Sequence, residues 1–337
     1  MDINQINLPV DELPKKWYNV MPHLPEAMPP PKEPETGPSR MKFLEKTMIH
    51  ECLGQEMSNE PWIAIPEELR ELYIQAGRPR PLYRARRLEK RLGLKKVRLY
   101  YKREDLSPTG SHKVNTAVAQ AYYAVKEGKT TLATETGAGQ WGSALSYAAA
   151  LMGLDAVVFW VRAVHNWKSD RLTLMKLLGA KVHASPSQET KTGRELLAQN
   201  ANHPGSLGIA VSEGLEYADQ HEGTVYCLGS VLNHVLIHQS IIGLEAIKQF
   251  ELLQSRRKEM MKTALMTAEL LEPLPRSIVL ASLTNELPAG TSLMEVKFNQ
   301  KEPAGKTSTS AYQAKKAASG GKTDSQDAKN SKDVKNR

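Results

Sequence analysis

The sequence predicts an α/β fold, a doubly wound parallel sheet, and three observations carry that expectation. From about Arg78 onward, short apolar stretches of strand character alternate with longer stretches of helical period. Glycines stand where two of the helical stretches should close, at Gly128 and Gly153. Two turns rich in small residues, "SPTGSHK" (107–113) and "ETGAGQ" (135–140), fall where a strand gives way to a helix, which is where such sheets bind ligands.

In chain order, "VRLYYK" reads as a strand, "VNTAVAQAYYAVKEG" as a helix, "TTLATET" as a strand and "GQWGSALSYAAALMG" as a helix. "AVVFWV" (strand), "SDRLTLMKLLG" (helix), "AKVHAS" (strand) and "TGRELLAQNA" (helix) follow. Strands that alternate with helices pair in parallel through right-handed crossovers. The first 60 residues, with "MPHLPEAMPPPKEPETGP", are expected to form a proline-rich arm with little regular structure. Residues 61–250 then form the catalytic α/β region, and 251–300 hold the continuation of a helix and a short strand, "SIVLASL" (277–283). The tail from 301 to 337 has almost no large apolar residue and is expected to be disordered.

Composition narrows the class. The chain has 337 residues, 40% of them apolar, enough for a proper core. No apolar run approaches the ~20 residues of a membrane span, and no leader is evident at the start, so a cytoplasmic enzyme with no membrane partner is expected. The formal net charge is +8, but nine Lys+Arg against four Asp+Glu in 301–337 place most of it in the tail. The basic stretch 83–103, with Leu88, Leu92 and Leu94, reads as a solvated helix face leading into a strand, so nucleic acid is not an expected partner. Cys52 and Cys227 lack metal-type spacing and fit reduced thiols.

Two turns carry the chemistry. A lysine is a poor residue for the first turn of a helix, where free N–H groups favour negative charge. Most loop lysines are solvated charges, but at the mouth of an α/β site the positive field and burial push Lys113 toward its neutral form. A neutral amine attacks carbonyls, which suits a lysine that anchors pyridoxal phosphate, with His112 beside the ring. In the second turn, Gly137 and Gly139 let the backbone approach a ligand and the helix start offers N–H donors to an anion, while Glu135 can move a proton. By itself such a glycine turn is also an ordinary tight loop. His165, His183, His203 and His221 are scattered, and His234 and His238, four apart, lack a third ligand, so no metal is expected.

"GSHKVN", "ETGAGQWGSAL", "HPGSLGIAVSE" and "LGSVLNHVLIHQSIIGLEA" together resemble the tryptophan synthase beta chains, most closely their divergent second class. The arm from Trp17 to Pro31 and the segment Gly77 to Leu88 share the resemblance, which spans about residues 10–250. It implies a fold-type II enzyme using pyridoxal 5'-phosphate, acting on L-serine and indole to give L-tryptophan, with a homodimeric state and a possible tryptophan synthase alpha subunit as partner. It implies that Lys113 is the Schiff-base lysine and acid/base, that Glu135 is the catalytic carboxylate, and that His112, Asn115, Gly229 and Ser230 lie at the cofactor. Thr136, Gly137, Ala138, Gly139 and Gln140 would hold the substrate carboxylate. After Ala246 the pattern departs: a "GGGSN"-type phosphate loop is missing, and Gly290 after 277–283 does not supply one. The second domain is therefore expected to be incomplete, as in a truncated or misjoined chain, with weak activity or none. Two other readings stay open, a non-catalytic protein that pairs with an intact beta chain and a serine/threonine dehydratase.

Overall fold

The protein is described by a computed structural model over residues 4–26, 39–165 and 167–271. In chain order the elements are β1 (Gln5–Ile6), β2 (Lys16–Tyr18), α1 (Arg40–Thr47), α2 (His50–Glu56), β3 (Trp62–Ala64), α3 (Glu67–Gln75), β4 (Leu82–Arg84), α4 (Arg86–Arg91) and β5 (Tyr100–Lys102). They continue as α5 (Val114–Lys126), β6 (Thr131–Thr136), α6 (Gln140–Met152), β7 (Asp155–Val161), α7 (Arg162–His165) and α8 (Ser169–Leu177). The series ends with β8 (Lys181–Ser185), α9 (Lys191–Gln199), α10 (Leu207–Gln220), β9 (Thr224–Tyr226) and α11 (Asn233–Leu271).

The central sheet is parallel with strand order β8-β7-β6-β9. Thr131 pairs with Asp155 on one side and Thr224 on the other, and the β6–β7 register runs on to Thr136 opposite Trp160. The chain winds outward from β6 through β7 to β8, then returns across the sheet to lay β9 on the opposite side of β6. That reversal makes the carboxyl ends of β6 and β9 the switch point at which doubly wound sheets open a crevice.

Helix α5 is buried without interruption from Val114 to Ala124, as expected of a helix apolar nearly all round. Its alanines and those of α6 (Ala144, Ala148, Ala149) join one core with Leu132, Val158 and Trp160 of the sheet. Gly142 brings α6 close to its neighbours: a Cβ there would lie 2.8 Å from Met175 Sδ and 2.9 Å from Val158 Cγ1. Gly128 and Gly153 close α5 and α6 at φ +71° and +70°, the left-handed conformation glycine adopts without steric cost.

Two expectations need correction. "VRLYYK" contributes only Tyr100–Lys102, and this strand lies outside the parallel sheet, antiparallel to β4, which also pairs with β1. The stretch 1–60 is not an arm with little regular structure, since it holds β1, β2, α1 and α2. The cause is burial: Leu13, Trp17, Ile49 and Cys52 belong to the main core, and the prolines cluster ahead of α1. The helix face bearing Leu88 and Leu92 is solvated, as its composition leads one to expect: both are about half exposed, while Glu89 between them turns inward to Arg84 and the Leu99 N–H.

Nearly all described residues fall in one unit, Met1–Thr267, which runs through positions 60 and 250. The expected strand 277–283, the turn at Gly290 and the tail 301–337 lie outside the described residues. Among the described residues no helix is long and apolar enough to cross a membrane.

Candidate active site

The loop before α5 is built to present a lysine. Ser107 Oγ accepts from the Ser111 N–H and donates to the Ser111 carbonyl, both at 2.7 Å, and Gly110 turns the chain at φ +68°. Ser111 Oγ then accepts from the Lys113 N–H at 3.3 Å, and α5 begins at the next residue. Lys113 is half-buried and its Nζ donates to the Gly229 carbonyl at 2.8 Å. Burial holds the amine below the ordinary lysine range, while the carboxylate of Glu135 pulls the other way.

Glu135 sits near the end of β6 and is buried. Burial raises its carboxyl above the ordinary range, opposed by the hydrogen bond from Tyr226 and by the charge of Lys113. The Tyr226 hydroxyl, at the end of β9, donates to Glu135 Oε2. Beneath them Trp141 Nε1 donates to Thr134 Oγ1 and Thr134 Oγ1 donates to the Cys227 carbonyl, each at 2.6 Å. Gly229 packs on the Trp141 indole so closely that a Cβ would drive into the ring. The lysine, the carboxylate and the Gly229 turn therefore meet at the switch point, drawn from β6, β9 and the start of α5.

The glycine turn stands beside them. Gly139 has φ +88°, and a Cβ on it would lie 2.7 Å from Trp160 Cζ2. Trp160 Nε1 in turn donates to the Gly137 carbonyl at 2.8 Å, fixing the turn against β7. Thr136 is buried, and its Oγ1 accepts from the Gly142 N–H at 3.2 Å. The first hydrogen bond back along the helix from this turn runs from Ser143 N–H to the Gly139 carbonyl. The N–H groups of Gln140 and Trp141 thus precede it and point toward the open end, the geometry in which a helix start holds an anion. Ala138 and Gln140 are exposed at the same mouth.

Other residues singled out in the sequence stand differently. His112 and Ser230 are exposed on either side of the Lys113–Gly229 contact. Asn115 is buried, and its amide faces away from that contact: Oδ1 accepts from Arg78 and Arg80, and Nδ2 donates to Glu104 and Gln239. His234 Nδ1 lies 3.1 Å from Glu56, and His238 bridges Thr116 (3.0 Å) and Gln55 (2.8 Å), so protein partners take both nitrogens of His238 and the Nδ1 of His234. Sequence reasoning missed Tyr226 and Thr134. For Tyr226 the available signal was "TVYCLGS" (224–230), a short apolar run ending at Leu228, directly before Gly229.

The family described as "Pyridoxal-phosphate dependent enzyme" matches residues 73–255, more than half of the chain. The chain belongs to that family. Among curated relatives, the tryptophan synthase beta chain 2 of Methanothermobacter thermautotrophicus is 54% identical over 250 residues, covering 74% of this chain and 58% of the relative. The proteins of the same name from Pyrococcus furiosus and Aeropyrum pernix are 52% and 53% identical, each covering 73% of this chain and 55% of the relative. The chain thus spans somewhat over half the length of the curated relatives it matches.

The residues present fit the reactive end of the family's cofactor: a half-buried amine of lowered basicity beside a buried carboxylate. The sequence holds no glycine-rich loop of the kind expected to cradle its phosphate, and the stretch 277–283 with Gly290 lies outside the described residues.

Proposed function

We propose that the protein is of the tryptophan synthase beta type, replacing the hydroxyl of L-serine with indole to give L-tryptophan and water. The observation that carries this reading is the convergence of Lys113 Nζ and the Glu135 carboxyl at one switch-point cleft, near enough for each charge to act on the other. The names of the curated relatives favour this reaction over dehydration of serine or threonine.

Pyridoxal phosphate, held through Lys113, supplies electron withdrawal that makes the amino-acid Cα proton acidic. Lys113 Nζ takes that proton, a task suited to an amine whose basicity burial has lowered. Glu135, raised by burial, gives its proton to the departing serine hydroxyl and as carboxylate accepts the proton that indole loses. The N–H groups at the start of α6 hold the amino-acid carboxylate, with Gly137 and Gly139 allowing close approach. His112, Asn115, Gly229 and Ser230 are assigned to the cofactor's surroundings, Asn115 through the ion-pair network behind Lys113. A homodimer and an alpha-subunit partner belong to the same reading, and analytical ultracentrifugation of the chain with and without an alpha subunit tests them.

The deciding experiment loads the purified chain with pyridoxal phosphate, reduces it with borohydride and maps the modified peptide, then supplies serine with and without indole. Modification at Lys113 and tryptophan formed only with both substrates support the reading. Pyruvate with no tryptophan assigns the dehydratase reaction instead, and absence of any modified peptide removes the catalytic reading.

A further inference from the structure

The two oxygens of Glu135 have unlike surroundings. Oε2 accepts from the Tyr226 hydroxyl, and Thr134 Oγ1 lies 3.3 Å from the same oxygen. Thr134 has one proton, and its shortest acceptor is the Cys227 carbonyl at 2.6 Å. Tyr226 is therefore the donor that holds Oε2. Among the described residues no side chain donates to Oε1, and the only other donor to the carboxylate is the backbone N–H of Glu135 itself.

The phenol is set in place by its packing. Tyr226 is the last residue of β9, paired with Ala133 of β6, and its ring packs with Ala133 and Ala218. On the far side Gly214 of α10 makes room for it: a Cβ there would lie 2.8 Å from Tyr226 Cε2 and 3.4 Å from the Thr134 carbonyl carbon. Register and a glycine together aim one hydroxyl at one carboxylate oxygen.

We propose that Tyr226 is a positioning residue for Glu135, pinning Oε2 so that Oε1 alone carries the proton exchanged in the cleft; this rests on the reaction proposed above. Lys113 at the start of α5 and Tyr226 and Cys227 at the end of β9 are the titratable groups that act on Glu135, and α10 adds only Gly214. The Cys227 thiol is pushed up by burial and stays neutral. Lys113 and Tyr226 both favour the carboxylate form, against burial. Loss of the hydroxyl thus leaves Glu135 protonated to higher pH.

The test follows the protonated-carboxyl band of the cofactor-free protein by infrared difference spectroscopy across pH, with Glu135→Gln identifying the band. Tyr226→Phe, which keeps the ring, is expected to move the midpoint upward by about one pH unit. Fluorotyrosine incorporated throughout the chain makes the phenol a stronger donor at unchanged shape and is expected to move it down. A midpoint unmoved by both changes overturns the proposal. Should the phenylalanine variant not fold, the fluorotyrosine protein decides alone. Because the cofactor is absent from this measurement, a moved midpoint with no tryptophan formation removes the proposed reaction and leaves the positioning intact.

Discussion

Arg78 and Glu245, 167 positions apart, meet as a fully buried ion pair, with Nε donating to Oε1 at 2.9 Å. The pair is the centre of a network: Glu104 accepts from Arg78 and Arg80, Lys102 lies 2.6 Å from Glu245, and Asn115 joins both arginines. It ties the segment before β4, the strand β5 and helix α11 to the turn that bears Lys113.

Removing one partner leaves the other charge buried and unpaired. Arg78→Met is expected to cost about 3–5 kcal/mol of stability. Urea unfolding of the variant against the parent chain measures it, and a loss below about 1 kcal/mol would show that solvent reaches the site.

Gly139 carries two constraints at once, φ +88° and the Trp160 ring 2.7 Å from where a Cβ would stand. Gly139→Ala combines left-handed backbone strain with overpacking, together about 2–5 kcal/mol. Unfolding midpoints check this. An unchanged midpoint would mean that the turn before α6 has another conformation.

The basicity of Lys113 is lowered by burial and partly restored by Glu135. Covalent capture of pyridoxal phosphate requires the neutral amine, so its rate is expected to reach half-maximum at a pH below the 10.5 of an ordinary lysine. Glu135→Gln removes the restoring charge and is expected to move that midpoint further down. Stopped-flow absorbance over a pH series reads both, and an upward move would contradict the electrostatics of the cleft.

His238 is fully buried beside His234, and burial holds its imidazole well below the usual range. A base whose pKa is lower in the folded state binds fewer protons there than in the unfolded chain. Stability therefore falls as pH drops below the ordinary 6.5 toward the folded value, by up to about 1.4 kcal/mol per pH unit. His238→Gln is expected to flatten the slope of unfolding free energy against pH by one proton in that window. Equal slopes would show that the buried ring takes up its proton in the folded state.

The sequence displays the part of this fold that repeats. The elements α5, β6, α6, β7, α8, β8 and α9 have enough length for a period to register, and each stands where its pattern places it, whereas the four residues of α7 show none. The strands β1, β4 and β9 have two or three residues, too few for a period to register, and β1 finds β4 across 78 positions. Arg78, Arg80, Glu104 and Glu245 look like solvated charges in a list of residues, because only the folded chain brings opposite signs together. The same holds for the site. Lys113 and Glu135 are marked by turns with unusual composition, whereas Tyr226 matters through its register against Ala133, a relation that no local stretch encodes.

The contact between Lys113 Nζ and the Gly229 carbonyl, 116 positions apart, also sets a schedule. On the ribosome, the lysine is made on the order of ten seconds before its acceptor. Until β9 arrives beside β6, the nascent chain bears an amine without the walls that lower its basicity, so Lys113 behaves as an ordinary surface lysine. If Lys113 anchors the cofactor as proposed, capture through that amine reports a finished sheet.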